Sequence, residues 1–312
     1  MDAAGVPFEG QLLNGTSNIG ILFFHGRGGN NNGNYVKQVG ATMNAQGYTT
    51  LSLANPEPLA GTEWVDYLNE ETLVDQQLFA RLDAALTEMA SLGVEHVVLS
   101  GISMGSRLMT TAAAAWDLGL FNPTANISLD GLVGVSMYAD TGGIAGTTDN
   151  PSSLSDFNAY DTHKNLSFIN SIPVLDLYGS LDPQAVVGAD TRRNAYAGDP
   201  SQYVQTQIQC PPNNGQYYAF LGAGVYEPYY GTDGTSVDRC HQLRDGYVRD
   251  ANGNYSLDFL VRGTIDAPLD SAFIAFMDQY VVPRTEVPEP SSLLLLVMGL
   301  PLLLLVRRKK SV

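Results

Sequence analysis

Residues 97–105 read Val-Val-Leu-Ser-Gly-Ile-Ser-Met-Gly, an apolar run that leads into a Gly-x-Ser-x-Gly sequence centred on Ser103. The run predicts a buried strand, and residues 106–117, rich in small side chains and followed by a glycine, predict a helix. On the tight turn between them a serine hydroxyl stands clear of the sheet, where a base can reach it. Gly101 and Gly105 lack the Cβ atoms that would crowd such a turn. The pattern favours Ser103 as a nucleophile over an idle serine in a glycine-softened turn.

Other apolar segments predict strands that alternate with helices. The predicted strands are residues 20–24, 48–53, 94–99, 132–137, 174–178 and 217–221. The clearest predicted helix is residues 70–92, which carries an apolar face and is followed by a glycine; another is residues 267–280. Strands separated by helices predict an α/β fold, in which a mostly parallel sheet is covered by helices on both faces.

Two further motifs flank the Ser103 motif in the chain. Residues 21–29 read Ile-Leu-Phe-Phe-His-Gly-Arg-Gly-Gly, an apolar strand that ends in His-Gly. Residues 172–183 read Ile-Pro-Val-Leu-Asp-Leu-Tyr-Gly-Ser-Leu-Asp-Pro, an apolar strand followed by a Gly-x-x-Asp-Pro turn. In this order, the three motifs resemble the α/β-hydrolase family, and the resemblance covers most of residues 18–283. It implies an α/β-hydrolase-like sheet and a serine hydrolase.

The resemblance implies an oxyanion hole at the His-Gly motif. In the family, the amide of the residue after His-Gly, here Arg27, acts with the amide of the residue after the nucleophile, here Met104. Preorganised donors of this kind stabilise the transition state by about 3 kcal/mol each. His25 would then position the loop. A plain glycine-rich turn is the alternative.

The resemblance also assigns a triad acid, Asp182, in the Gly-x-x-Asp-Pro turn. Its carboxylate would hold the imidazole of the base in the right tautomer. Asp176 competes with it, but Asp176 lies inside the predicted strand, whereas sites in open α/β sheets collect beyond the carboxyl ends of strands. An Asp-Pro turn with a purely structural aspartate is the alternative.

The base is chosen among four histidines. His96 begins the strand that leads to Ser103, so it is expected at the opposite edge of the sheet. The family order of nucleophile, acid and base requires a histidine after Asp182, and only His241 satisfies it. His163 precedes the acid and stays as the second candidate.

The end of the chain resembles the PEP-CTERM sorting signal of Gram-negative bacteria. Pro288, Glu289 and Pro290 are followed by a leucine-rich run, residues 291–306, and by four consecutive cations. The run is near the lower length limit for a transmembrane helix, and the cations would stay on the cytoplasmic side. The resemblance implies handling by an exosortase-type sorting enzyme. The domain would lie on the extracytoplasmic side of the inner membrane in transit, and the mature form at the cell surface or secreted.

Export bears on the two cysteines and on the start of the chain. In an exported protein Cys210 and Cys240 most simply form one disulfide, which would tether the long segment that carries His241; two buried thiols are the alternative. Residues 1–20 show neither the basic nor the apolar part of an export signal. Either this start is not the true start or the chain was truncated.

The two resemblances imply an α/β-hydrolase-like domain, residues 1–285, and the sorting signal, residues 286–312. Residues 1–306 hold 12 basic and 32 acidic residues, a net charge of −20, which disfavours binding to nucleic acid and anionic lipid. No His or Cys spacing suggests a metal site, and no cofactor is expected.

The sequence therefore predicts an exported serine hydrolase, an esterase or related acyl hydrolase, with a small-molecule or polysaccharide-linked ester as substrate. The alternative is a catalytically inactive α/β-hydrolase-fold protein that serves in binding or in the matrix of the cell envelope.

Overall fold

The structure, a computed structural model, describes most of the predicted domain. The described residues are 10–26, 31, 34–55, 77–137, 147–158, 161–180, 182–210, 218–220, 226–228, 247–249, 255–257 and 266–282. The predicted sorting motif and the segment 291–306 lie outside them, so the predicted domain boundary and membrane segment stay predictions. Within the described ranges, no helix combines the length and the apolar character needed to cross a bilayer.

Seven strands form one sheet in the order β1-β3-β2-β4-β5-β6-β7. Their bounds are β1 Gly10–Leu13, β2 Ile19–Phe24, β3 Thr49–Leu53, β4 His96–Ile102, β5 Ser128–Val135, β6 Val174–Gly179 and β7 Tyr203–Ile208. Strand β1 runs antiparallel to β3, and every other neighbouring pair is parallel. The predicted mostly parallel sheet is confirmed.

Helices cover both faces of this sheet. They are α1 Asn34–Ala45, α2 Phe79–Ser91, α3 Met104–Asp117, α4 Thr162–Leu166, α5 Pro183–Val187, α6 Ala189–Ala195 and α7 Asp266–Phe276, which continues as a π-helical turn, Met277–Val281. Buried side chains of α1 and α7 form one core layer, and those of α2, α3 and α4 form the other. The predicted α/β architecture is therefore present.

The side chains of the central strand β2 point alternately to the two faces of the sheet and are apolar on both, so each face needs a layer of helices. All six residues of β2 are buried. Because successive strand side chains point to opposite faces, Leu22 and Phe24 enter the α2–α3 layer while Ile21 and Phe23 enter the α1–α7 layer. An apolar residue at every position is what a strand buried on both faces requires.

Helix α2 confirms the helical periodicity found in the sequence. Leu78, Leu82, Ala85 and Met89 are all buried on the sheet side, and Gly93 follows the helix with a φ of +85°. A residue in this left-handed conformation commonly ends a helix, and glycine adopts it without a steric cost. The first part of the predicted helix, residues 70–76, lies outside the described residues.

The prediction that residues 217–221 form the last strand of the main sheet was wrong. Tyr218–Phe220 (β8) pairs with Tyr226–Pro228 (β9) in a separate two-stranded sheet, and Tyr247–Arg249 (β10) pairs likewise with Tyr255–Leu257 (β11). The last strand of the main sheet is β7, with the sequence Tyr-Val-Gln-Thr-Gln-Ile. Because β7 is an edge strand and only partly covered, it can carry polar residues that hide it from a search for apolar runs.

The strand order reverses beside β2. The chain passes from β2 to β3 on one side and then crosses to β4 on the other side of β2. In open α/β sheets, the crevice at the carboxyl ends of two such strands is the usual place for a ligand. This crevice lies between the ends of β2 and β4.

A buried ion pair joins α6 to the last two strands. Arg192 donates from Nε and Nη2 to the carboxylate of Asp176, at 2.9 and 3.2 Å, and both side chains are fully buried. Tyr203 and Gln205 on β7 donate to the same carboxylate at 3.1 and 2.8 Å. Burial, and then the charge of Asp176, raises the pKa of Tyr203 well above its usual range, so its hydroxyl stays protonated and can donate.

We expect Arg192→Met to lower the free energy of unfolding by about 3–5 kcal/mol, because it leaves the Asp176 carboxylate buried without its counter-charge. Urea unfolding monitored by circular dichroism would measure the change. Arg193→Met is the matched control, since Arg193 is half exposed and lies 4.0 Å from the carboxylate of exposed Asp190; it should change stability by about 0.5 kcal/mol at most. Equal effects of the two substitutions would contradict the prediction.

Candidate active site

Ser103 occupies a strained turn between β4 and α3. Its φ is +54° and its ψ is −117°, a combination that a residue with a side chain rarely adopts and that costs about 1–3 kcal/mol. The amide of Ser103 donates to the carbonyl of Val135 on β5 at 2.9 Å, and the amide of Ser106 donates to the carbonyl of Ser103 at 3.1 Å. These bonds hold the strain in place. The predicted strand–turn–helix arrangement around Ser103 is present.

Two glycines allow this turn to form. A Cβ atom on Gly101 would overlap the backbone of Gly105, and one on Gly105 would overlap the carbonyl oxygen of Phe24 at the end of β2. The first turn of α3 therefore rests directly on the end of β2, with no side chain between them. This contact fixes Ser103 at the crevice between β2 and β4.

The His-Gly motif ends β2 next to Ser103. A Cβ built on Gly26 would lie 3.5 Å from the Cβ of Ser103, so the backbone of this loop passes directly beside the candidate nucleophile. Met104 is the first residue of α3 and is buried. The first amides of a helix have no acceptor within the helix, so they are suited to bind an anion. Arg27, the other predicted oxyanion donor, lies outside the described residues.

Asp182 follows the carboxyl end of β6, two strands from β4, and its side chain is 1% exposed. Adjacent strands lie about 4.8 Å apart, so the ends of β6 and β4 are separated by about 10 Å. The amide of Ala185 donates to Asp182 Oδ1 at 3.3 Å. The competing residue, Asp176, has its carboxylate occupied by Arg192, Tyr203 and Gln205. Asp182 therefore follows the carboxyl end of its strand, as Ser103 does, whereas Asp176 lies within the strand and is already bonded.

The four histidines differ in their surroundings. His96 begins β4, about 20 Å of strand away from Ser103, and its Nδ1 lies 2.7 Å from the carboxylate of Asp130. His163 lies on α4 and its Nδ1 is 3.2 Å from the carboxylate of Asp161. No side chain in the described part of the chain hydrogen-bonds to the hydroxyl of Ser103. The preferred base, His241, lies outside the described residues.

Backbone groups hold the ring of His25 on both sides. Its Nε2 accepts a hydrogen bond from the amide of Asn55 at 3.0 Å, and its Nδ1 lies 2.8 Å from the carbonyl oxygen of Gly26. Because an amide can only donate, Nε2 has no proton and Nδ1–H donates to Gly26. In this state His25 fits the predicted role of a loop-positioning residue, and it has no ring nitrogen left to accept a proton from Ser103.

Cys210 follows β7 and is buried. The predicted partner, Cys240, lies outside the described residues. The pairing of these two cysteines therefore stays a prediction.

Sequence reasoning missed two features of the crevice. Ser136, fully buried at the end of β5, has a φ of +50°, and its amide donates to the carbonyl of Leu177 at 2.7 Å. Its immediate neighbours carry no turn signal. Asn55 and Arg81, which hold His25 in place, come from distant parts of the chain. Nowhere in the described segments do three His, Cys, Asp or Glu side chains gather as metal ligands would.

Comparison with known proteins gives only distant likenesses. No family model and no curated protein matches the chain. A monoacylglycerol lipase from Paleococcus ferrophilus is 14% identical, with 65% of this chain and 89% of that chain covered and a TM-score of 0.45. A dienelactone hydrolase from Anabaena variabilis is 16% identical, with 67% and 84% covered and a TM-score of 0.46. Likenesses at this level carry no argument about activity.

We expect Gly105→Ala to destabilise the protein by about 1–3 kcal/mol, because the new methyl group would overlap the backbone of Phe24 and force β2 and α3 apart. Thermal or urea unfolding would measure the loss. Gly40→Ala, in the middle of α1, is the matched control. A Cβ at this position would lie 3.6 Å from the hydroxyl oxygen of Thr50, an ordinary van der Waals distance. The free energy of unfolding of Gly40→Ala should rise by up to about 1 kcal/mol, because alanine is a better helix former than glycine. A neutral Gly105→Ala would contradict the close contact.

Proposed function

We propose that this chain is an exported serine hydrolase, an esterase or related acyl hydrolase, in which Ser103 is the nucleophile, Asp182 the acid and His241 the base. The observation that carries the proposal is the strained backbone of Ser103 at the crevice between β2 and β4. A serine held at a φ of +54° by its neighbours costs stability without improving packing. Such strain is typical of functional sites, and in the proposed site the turn would present the hydroxyl to the crevice.

In the proposed mechanism, Ser103 Oγ attacks the carbonyl carbon of the ester while His241 accepts the hydroxyl proton. Asp182 holds the imidazole and stabilises the imidazolium that forms. The tetrahedral intermediate collapses when His241 gives that proton to the departing alkoxide, which leaves as an alcohol. Water then attacks the acyl-enzyme in the same way, and the carboxylic acid is released as Ser103 regains its proton.

The negative charge of the tetrahedral intermediate would be received by the amides of Met104 and Arg27. The amide of Met104 lies at the start of a helix of 14 residues, where the backbone groups and the helix dipole favour an anion. Gly26, which directly precedes Arg27, lies beside Ser103, and this supports Arg27 as the second donor. Removal of one such donor typically costs about 10²–10³ in kcat.

The proposed substrate is a small-molecule or polysaccharide-linked ester. A net charge of −20 over residues 1–306 disfavours strongly anionic substrates and favours neutral ones. We propose that the segment from Pro288 to the cationic end is a sorting signal for an exosortase-type enzyme, with residues 291–306 as its transmembrane helix. The domain would then act outside the cytoplasm.

We expect Ser103→Ala to abolish both ester hydrolysis and labelling by a fluorophosphonate probe while the fold is retained. Loss of the nucleophile in such a triad costs about a million-fold in turnover. Hydrolysis of p-nitrophenyl acetate and the probe signal on a gel would measure the two effects, with Ser91→Ala, an exposed serine at the end of α2, as the control. A wild-type domain that neither reacts nor hydrolyses would favour the alternative, an inactive binding or matrix protein.

The same assays test the proposed acid and distinguish the two candidate bases. His241→Ala should lower kcat severely because it removes the base. Asp182→Asn should do so because the imidazole is then no longer held in the tautomer that accepts the proton of Ser103. His163→Ala should retain activity. An inactive His163→Ala beside a normal His241→Ala would show that the base was misassigned.

We expect replacement of Pro288, Glu289 and Pro290 by alanine to leave the full-length protein in the inner membrane of a host that has the sorting enzyme. A plain anchor needs only an apolar segment and flanking cations. A sorting signal needs the recognition motif as well. Cell fractionation and immunoblotting would measure processing. The mature wild-type protein should end near Pro290. Equal processing of the triple variant would identify a plain anchor.

A further inference from the structure

The loop that follows β2 is held by the end of β3. Asn55, two residues beyond β3, makes two hydrogen bonds to His25: its backbone amide donates to Nε2 at 3.0 Å, and its side-chain Nδ2 donates to the backbone carbonyl at 2.6 Å. Asn55 is 1% exposed and His25 is 6% exposed. A clamp of this kind, buried from water, fixes both the ring and the main chain of His25.

Arg81 holds Asn55 in turn. From α2 it donates through Nη1 to the carbonyl oxygens of Ala54 and Asn55, at 2.9 and 2.8 Å, and it is 6% exposed. A buried arginine is costly unless it is well bonded, so its place beneath this turn indicates that the turn needs a fixed conformation. These hydrogen bonds therefore connect α2, through the turn after β3, to the end of β2.

A second bond ties the far side of the same loop to β3. The hydroxyl of Ser52 donates to the backbone carbonyl of Asn31, which is buried. His25 and Asn31, the described residues nearest to residues 27–30 that carry such bonds, are therefore bonded to β3 or to the turn directly after it.

We infer that Asn55 is a positioning residue for the oxyanion loop, and that Arg81 supports it. The inference rests on the proposed function. Gly26 lies directly after the clamped residue and against Ser103, so a shift at His25 would move the amide of Arg27 relative to the reacting carbon. An oxyanion donor works only when its position is preorganised, and a displacement of about 1 Å can cost about a hundredfold in rate.

Asn55→Asp is the sharpest test because the two side chains have the same shape. It puts a carboxylate oxygen where the amide nitrogen faces the carbonyl of His25, so attraction becomes repulsion. We expect kcat for p-nitrophenyl acetate to fall by about 10- to 100-fold with KM changed by less than about twofold, because only the transition state uses the donors. Asn55→Ala loses the side-chain hydrogen bond to His25 but adds no repulsion, so its kcat should lie between those of Asn55→Asp and the wild type.

Asn165→Ala is the matched control. Asn165 is also a fully buried asparagine, and its side chain bonds Thr111, Thr147 and the carbonyl of Asn158, away from the end of β2. It should lose thermal stability but keep the kcat of the folded protein. A trifluoromethyl ketone that forms a hemiketal with Ser103 gives a second readout. Its affinity should fall in parallel with kcat in Asn55→Asp and stay unchanged in Asn165→Ala.

The outcomes separate this inference from the proposed function. If the wild type hydrolyses esters and reacts with the probe through Ser103, a normal kcat and ketone affinity in folded Asn55→Asp overturn the inference alone. If the wild type shows neither activity nor labelling, the proposed function fails first and the positioning role fails with it. Nitrogen-15 NMR of the His25 ring checks the clamp without activity: a proton on Nε2 in the wild type at neutral pH would overturn it.

Discussion

The contact between α3 and the end of β2 is the constraint on which the rest of the crevice depends. Gly105 lies against the carbonyl of Phe24 so closely that no side chain fits between them. The same approach requires a sharp turn, and Ser103 adopts the strained conformation of that turn. It also brings Gly26, after β2, so close that a Cβ atom there would lie 3.5 Å from the Cβ of Ser103. One tight contact thus accounts for both the strained turn and the backbone beside it.

The two aspartates of the β6 region show how environment assigns different roles to the same side chain. Asp176 faces α6 and β7, where Arg192 neutralises its charge and two further donors saturate its oxygens. Its carboxylate is therefore part of the packing. Asp182 lies beyond the carboxyl end of β6, and in the proposed mechanism it orients the base. A carboxylate bound by a buried arginine could not orient an imidazole as well, because its lone pairs are already used.

Local patterns were enough to predict the elements that this constraint requires. The Gly-x-Ser-x-Gly turn, the apolar face of α2 and the buried run of β2 follow from spacing and side-chain size, which act over a few residues. The missed features act over longer distances. Strand β7 was missed because an edge strand can be polar, and residues 217–221 were misassigned because an apolar run does not reveal its partner. Asn55, which bonds His25, is 30 positions away from it in the chain, and Arg81, which bonds Asn55, is 56 positions away; no local rule connects them.

The contacts of His25, His96 and His163 disfavour each of them as the base and so favour His241. His25 already accepts an amide proton on Nε2 and donates from Nδ1, so it has no free nitrogen for Ser103. His96 binds Asp130 at the far end of β4. His163 turns its Nδ1 toward Asp161 rather than toward the end of β6, although a base oriented by Asp182 would have to present that atom to it. Each alternative is committed elsewhere by specific contacts. This supports the remaining histidine as the partner that Ser103 needs.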